Sequence, residues 1–302
     1  MAEEIRPMLA FPSIPFDSKD HIFEIKWDGT RCILYLEGER ISLKNRRLLD
    51  ITRRYPELST LKEAIKARQA IIDGEIVVFS SGRTDFSRLE VREHASGPMR
   101  IELLSKTMPA TYVAFDLLFL DGDWLVDRPL IERRAALSRL LCEHDLLLES
   151  FYVEERGKSL FEIAVGKGFE GIMAKKKDSP YLPGRRSRYW LKIKPRFREV
   201  CYILGFKRGK GGRDVGSLLV ATKRGEDLLF RGSVSSGIGA REMEEITVRL
   251  KGLKRQSPCL ESLKDLYGIG WVEPRILCEV EFFEITRKGR FRGPVFKGLI
   301  DE

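Results

Sequence analysis

The chain has 302 residues, 43% of them hydrophobic and 33% charged. That is enough apolar material for one large or two ordinary domains and too much for a disordered chain. Its net charge of +9 favours a polyanionic partner such as nucleic acid. Five scattered cysteines (Cys32, Cys142, Cys201, Cys259, Cys278) contain no CxxC. They argue against a disulfide framework or a structural zinc site and fit a reducing compartment. His21, His94 and His144 lie far apart, which disfavours a His-based metal site or triad. No apolar run approaches the roughly 18 residues of a membrane span, so a cytoplasmic protein without membrane association is expected.

Pro7, Pro12 and Pro15 mark an extended lead-in. Glu24 to Arg31 reads as a short strand running into a turn at Gly29. On a strand, Glu24, Lys26 and Asp28 share one face and Ile25 and Trp27 the other. Cys32–Leu36 and Ile41–Leu43 form a hairpin around Glu37-Gly38. Helical spacing covers Leu58 to Gln69, a strand covers Ala70 to Phe79, and Asp85 to Glu93 is a further helix, with a looser stretch to Pro109. The run Tyr112–Leu120 is a strand closed by Asp121-Gly122. Pro129 opens a helix running from Ile131 to Cys142. Another covers Ser159–Gly166, capped by Ser159 with Glu162 three residues on. Glu170–Lys175 and Trp190–Lys194 are strands, and Pro195 ends the second.

Beyond Pro195 the pattern changes to short strands, Cys201–Phe206, Ser217–Thr222 and Leu228–Val234, separated by Gly-rich turns such as Gly209-Lys210-Gly211-Gly212. One helix, Ala240–Leu250, precedes a last strand at Ile276–Glu284. This strand-dense portion predicts a small β-barrel. The fold class is α+β, with domains expected at 1–195 and 196–302.

Five predicted strands carry charged residues: Lys26 and Asp28, Asp73 and Glu75, Asp116, Glu170, and Lys192 and Lys194. Burying such groups among Val, Ile and Leu costs several kcal/mol unless they are paired or hold a ligand. Five occurrences suggest one shared polar cleft. The plain alternatives are that Asp28 and Asp73 serve as salt-bridge partners, and that Phe115 is core packing. Parity on a regular strand puts Lys175 opposite Glu170 and outside the cleft.

The segment Glu24-Ile25-Lys26-Trp27-Asp28-Gly29-Thr30-Arg31 resembles the nucleotidyl-acceptor motif of covalent nucleotidyltransferases, the ligases and capping enzymes. Asp73-Gly74-Glu75, Ala114–Leu118, Glu170–Lys175 and Trp190–Lys194 resemble the next four motifs, in the right order. The resemblance covers essentially the whole chain. It is closest to ATP-dependent DNA ligases, especially the ligase domain of bacterial and archaeal end-joining enzymes. It implies a nucleotidyltransferase (adenylation) domain, with antiparallel sheets and flanking helices, followed by an OB-fold domain.

The resemblance also implies the chemistry. Lys26 would attack the α-phosphorus of ATP, forming lysyl-AMP. AMP would pass to a DNA 5′-phosphate, and a 3′-hydroxyl would displace it. An attacking amine must be neutral, whereas free Lys titrates near about 10.4, and burial beside Lys192 and Lys194 is expected to lower that. By position, Lys26, Asp28, Lys192 and Lys194 are the catalytic set. Glu24, Ile25, Arg31, Glu75, Phe115 and Glu170 join the two lysines around the nucleotide. Glu75 and Glu170 are the expected ligands of Mg2+ or Mn2+. Lys44-Asn45-Arg46-Arg47 resembles the family's nick-phosphate segment, with the spacing leaving either Arg46 or Arg47. Arg185, Arg186 and Arg188 lie in a run of seven Lys/Arg with interleaved aromatics between 185 and 198, as expected of a DNA backbone track.

The implied partners are nicked or broken duplex DNA, with a Ku-type end-binding protein and a separately encoded polymerase or nuclease as further candidates. A monomer, prokaryotic and nucleoid-associated, is expected. The 25 residues before Lys26 disfavour use of NAD. The family's sixth motif ends on a basic segment, where this chain reads Leu299-Ile300-Asp301-Glu302. Slow self-adenylation is therefore expected, with Arg292 and Lys297 the nearest substitutes. The competing readings are an RNA ligase, a capping-type enzyme, and a catalytically weak DNA-end-binding protein.

Overall fold

The computed structural model describes residues 4–209, 215–286 and 288–300. The chain divides into two compact units, Met1–Lys194 and Pro195–Glu302.

Among the described residues, the first unit holds two sheets. One runs in the order Leu9–Ser13, Arg186–Ile193, Ile172–Lys176, Ser18–Ile25, Tyr152–Glu155. Its first pair is parallel and the remainder antiparallel. The other runs Arg40–Asn45, Thr30–Glu37, Gln69–Ser80, Ala110–Leu120, Asp123–Trp124. Its strands read as nearly continuous apolar runs because both faces are covered. Leu34, Leu36, Ile72 and Ala114 pack into the larger core, which also takes Leu58 and Leu61 from Pro56–Ala64 and Leu137 from the helix Leu130–Leu140. With side chains alternating at period two, Ile33, Tyr35, Ile71 and Phe115 enter a second cluster with Met8, Tyr181 and Trp190. That second cluster borders the site.

In the second unit the 11-residue strand Phe197–Lys207 is the hub. It pairs antiparallel with Ser217–Arg224, Ile269–Val272 and Leu277–Phe282. Asp227–Val234 and Val295–Ile300 extend the sheet on either side, and Ala240–Leu250 contributes Ile246 and Leu250 to the core. This unit is an OB-fold-like β-barrel.

Several local expectations need correction. The strand ending at Ile25 stops before Lys26. Pro56–Ala64 is a 3-10 helix, and the stretch read as loose contains an α-helix, Pro98–Thr107. Ser159 is no cap, because the helix begins at Gly157 with Arg156 before it. The strand Leu277–Phe282 is not the last, since Glu284–Ile285, Phe291–Arg292 and Val295–Ile300 follow. Lys210-Gly211-Gly212 of the expected turn, and Asp301-Glu302, lie outside the described residues.

Candidate nucleotide-binding active site

A cavity opens in the first unit where the two sheets converge. Cross-strand register builds one wall. Glu24, Met173 and Lys192 face one another on three successive strands, and Lys175 faces Trp190 two residues along. All five line the cavity, as does Ile25. The other sheet contributes Arg31, Glu75 and Phe115, with Arg31 opposite Glu75. The expected lead-in is itself part of the site: Leu9–Ser13 is a strand, and Met8, Leu9 and Ala10 line the cavity.

Lys26 sits just past the end of its strand, and its backbone N–H donates to the carbonyl of Gly171 at 2.9 Å. Two glycines permit this approach. A Cβ on Gly29 would meet the Ile76 carbonyl oxygen at 2.3 Å, and one on Gly171 the Ile193 oxygen at 2.1 Å. Gly171 also has φ of +139°, which side-chain-bearing residues avoid. The Lys26 ammonium pairs with Glu170, whose second oxygen holds Lys194. Burial alone would push the Glu170 carboxyl up. The charge of Lys26 and hydrogen bonds from both lysines outweigh it and hold the group below the usual carboxylate range.

Glu24 and Lys175 are 1% and 2% exposed. Lys175 Nζ donates to Glu24 Oε2 at 2.9 Å and lies 4.2 Å from the Phe115 ring centre and 4.3 Å from that of Trp190. Ser150 Oγ also donates to Oε2, at 3.3 Å, and accepts from Trp27 Nε1 at 3.1 Å. Glu24 Oε1 is buried with no partner among the described residues. Burial lowers the Lys175 pKa, with Glu24 working against it. Excluding Lys175 was therefore a misreading. Glu170 precedes the strand, which starts at Ile172, so parity counted from Glu170 has no meaning. Counted from Met173, Lys175 shares the cavity face.

Arg31 donates through Nε and Nη2 to Asp73 at 2.6 and 2.5 Å, and its guanidinium carbon lies 4.6 Å from the Phe115 ring centre. Tyr181 donates to the same Asp73 carboxylate at 2.6 Å. Asp73 is thus a clamp for Arg31, the salt-bridge role weighed for it. Glu75 is half-buried; desolvation raises its carboxyl to about 7, against the pull of Arg31 and Lys26. Lys192 is lowered by burial and then by Arg186, Lys194, Lys26 and Arg46. Arg46 and Arg186 line the cavity; Asp28, Arg47, Glu170, Arg185, Arg188 and Lys194 do not. Asp116 also stays out, being fully buried in a bidentate pair with Arg133 at 2.7 and 2.8 Å.

Among the described residues no three metal-ligating side chains gather. Mg2+ commonly needs only one or two carboxylates besides phosphate oxygens, and the cavity-lining Glu75 carboxyl fits that demand. Glu170 could join it only by yielding a lysine. Met8, Leu9, Ala10, Trp27, Met173, Lys175 and Trp190 are lining residues that motif reasoning did not select; the period-two register with Glu24 was the available signal for Met173 and Lys175.

Sequence profiles described as "ATP dependent DNA ligase domain" and "ATP dependent DNA ligase C terminal region" match residues 7–194 and 211–302. The multifunctional non-homologous end joining DNA repair protein LigD of Mycobacterium tuberculosis is 34% identical over 283 residues, 92% of this chain and 36% of that protein. A DNA ligase of Thermococcus onnurineus is 32% identical over 311 residues, 97% of this chain and 53% of the relative. A solved mycobacterial DNA ligase D complexed with ATP and MES superposes with a TM-score of 0.57 at 30% identity, covering 98% and 95% of the two chains. The chain therefore spans about a third to a half of the length of the curated relatives it matches. Two profiles in tandem, over the unit that carries the cavity and the barrel that follows it, make the chain a member of the ATP-dependent DNA ligase family.

Proposed function

We propose that this chain seals breaks between a 5′-phosphate and a 3′-hydroxyl in duplex DNA, using ATP and a covalent lysyl-AMP on Lys26. One observation carries the reading: Lys26 lines the same cavity as the buried pair Glu24–Lys175 and the cations Lys192, Arg46 and Arg186. The orphan acceptor Glu24 Oε1 belongs to the carboxylate that the donor Lys175 holds, a pairing suited to the 6-amino group and a ring nitrogen of adenine. Lys192, Arg46 and Arg186 offer charge to phosphates.

In this reading Phe115 and Trp190 flank the base, and Arg31, clamped by Asp73, reaches the ribose with Glu75. Lys26 Nζ forms a P–N bond as the bond to pyrophosphate breaks. Lys192 stabilises the charge that gathers on the α-phosphate, and Lys194 orients Glu170. Asp28, the remaining member of the expected catalytic set, would act from outside the cavity lining. Mg2+ or Mn2+ would be held by Glu75, with Glu170 as second ligand; when bound it neutralises charge on phosphate oxygens. Arg46 is the better candidate than Arg47 for the nick phosphate, while Arg185 and Arg188 would meet the backbone further out. By likeness to the end-joining relatives, the work is DNA repair by a prokaryotic, nucleoid-associated monomer. A Ku-type protein would be the recruiting partner, and a polymerase or nuclease would be a companion.

The test is intact mass after incubation with ATP, then denaturing gels on a labelled nicked duplex. An added AMP that is absent from Lys26→Ala, with sealing by the parent alone, is expected. Adduct formation from GTP instead of ATP, or equal sealing by Lys26→Ala, would sink the reading.

A further inference from the structure

Away from the nucleotide cavity, a second groove follows the outer strand Arg40–Asn45 of the larger sheet. Arg40, Ser42, Asp50, Arg53 and Arg54 line it. The three arginines are exposed, and none has an ion-pair partner among the described residues. Asp50 is the only acid in the lining; it accepts from the Thr52 N–H at 2.9 Å, and its charge is felt by Arg40 and Lys44. One carboxylate among three guanidinium groups leaves the groove with an excess of positive charge, which a bound anion relieves.

The segment that presents them is tied down. Ile51 N–H donates to the Leu43 carbonyl and Leu43 N–H to Thr52 Oγ1, both at 2.9 Å. The carbonyl of Arg54 accepts from Arg92 at 2.8 Å, and Arg92 is itself fully buried. Arg53 and Arg54 therefore leave a held backbone, as preorganised binding requires.

The strand also sets a distance. Arg46, beside its far end, lines the nucleotide cavity. At roughly 3.3 Å per residue, Arg40 lies on the order of 17 Å along the strand from Asn45. Phosphates on one DNA strand advance by about 3.4 Å per base pair, so a duplex lying along this strand with its nick phosphate at Arg46 would meet the groove about five base pairs away. A fork of guanidinium donors suits phosphate oxygens.

We infer that Arg40, Arg53 and Arg54 form a second phosphate-binding track, gripping the duplex arm about five base pairs from the break. This rests on the proposed ligase reading. It extends the footprint to residues that none of the recognised motifs contains.

The test compares the parent with Arg40→Ala/Arg53→Ala/Arg54→Ala by fluorescence anisotropy on a nicked duplex ending in a 3′-deoxy nucleotide. Salt is varied, with thermal melting as a check on folding. Substrates carry two long arms, or one arm cut to a four-base-pair hairpin. With long arms, the triple variant is expected to bind tenfold or more weakly. The slope of log affinity against log salt should be shallower by about 2 to 3, since each phosphate contact contributes about 0.9. Shortening the arm that the groove holds should bring parent and variant together. Equal slopes on long arms, or a difference that survives shortening of either arm, would overturn the track. A parent that neither seals nor prefers nicked DNA would overturn the ligase reading instead.

Discussion

Lys175 and Glu24, both lining the cavity, form a buried ion pair with Nζ 2.9 Å from Oε2 and Oε1 left without a partner among the described residues. Removing one member of such a pair strands the other, at about 3–5 kcal/mol. Lys175→Met should therefore lower stability by roughly that amount in urea unfolding. Lys175→Met/Glu24→Gln should recover most of it. Neither variant should accept AMP from ATP at micromolar concentrations, whereas the double variant should melt near the parent. Independent, additive losses from the two substitutions would refute the coupling.

Ser150 fixes how that carboxylate is turned. It donates to the same oxygen as Lys175 while accepting from Trp27, which leaves Oε1 as the oxygen without a partner among the described residues. Ser150→Ala frees the carboxylate to rotate. The KM for ATP in self-adenylation should rise about tenfold, the worth of one hydrogen bond to a charged group. Sealing of a DNA strand that already carries AMP should keep its rate, and Ser150→Thr should restore the KM. A proportional fall in both reactions would mark Ser150 as merely structural.

Glu75 gives the fold a pH signature. Its carboxyl is raised from the ordinary 4.5 to about 7, chiefly by desolvation. Between those values the folded state keeps a proton that the unfolded chain releases, so stability falls as pH rises through the window. The full shift would correspond to about 3 kcal/mol at 1.36 kcal/mol per unit; solvent reaching this half-buried group reduces that to about 1–2 kcal/mol. Glu75→Gln should be more stable than the parent at pH 8 and nearly equal to it at pH 4. Parallel curves for the two proteins across that range would contradict the assignment.

Asp116 is expected to matter for folding alone. Its two hydrogen bonds from Arg133 are fully buried. Asp116→Asn should cost about 3 kcal/mol or more while leaving the KM for ATP unchanged at temperatures where the variant stays folded. A raised KM without loss of stability would return Asp116 to the cleft.

Much of this site was legible because its chemistry is carried on alternating positions of apolar strands, where charge is costly. Glu24 and Lys192 stand out for that reason, while Lys26, just past the end of its strand, stands out through the motif it belongs to. Asp73 and Asp116 stand out equally, yet one clamps Arg31 and the other an arginine of a helix. An isolated carboxylate in a strand does not announce whether its partner is a ligand or a side chain. Lys175 was missed because alternation was extended to Glu170, two residues before the strand begins at Ile172. The helix Pro98–Thr107 was missed because its apolar residues are split: Leu104 is buried, while Met99 and Leu103 are largely exposed. Of the strands after Phe282, Glu284–Ile285 and Phe291–Arg292 were missed because they have only two residues each, too short for any period to show.

Gly171 bears on how variants of this protein should be sorted. Its carbonyl holds the Lys26 backbone, and its missing side chain lets the chain pass the Ile193 oxygen. Gly171→Ala would push the tether of Lys26, the proposed nucleophile, aside while every charged group of the cavity kept its identity. An activity screen would score it with Lys26→Ala, although its sequence looks nearly untouched. The two kinds of dead protein would part company in a crystal or a melting curve, since only the alanine at 171 forces backbone to move.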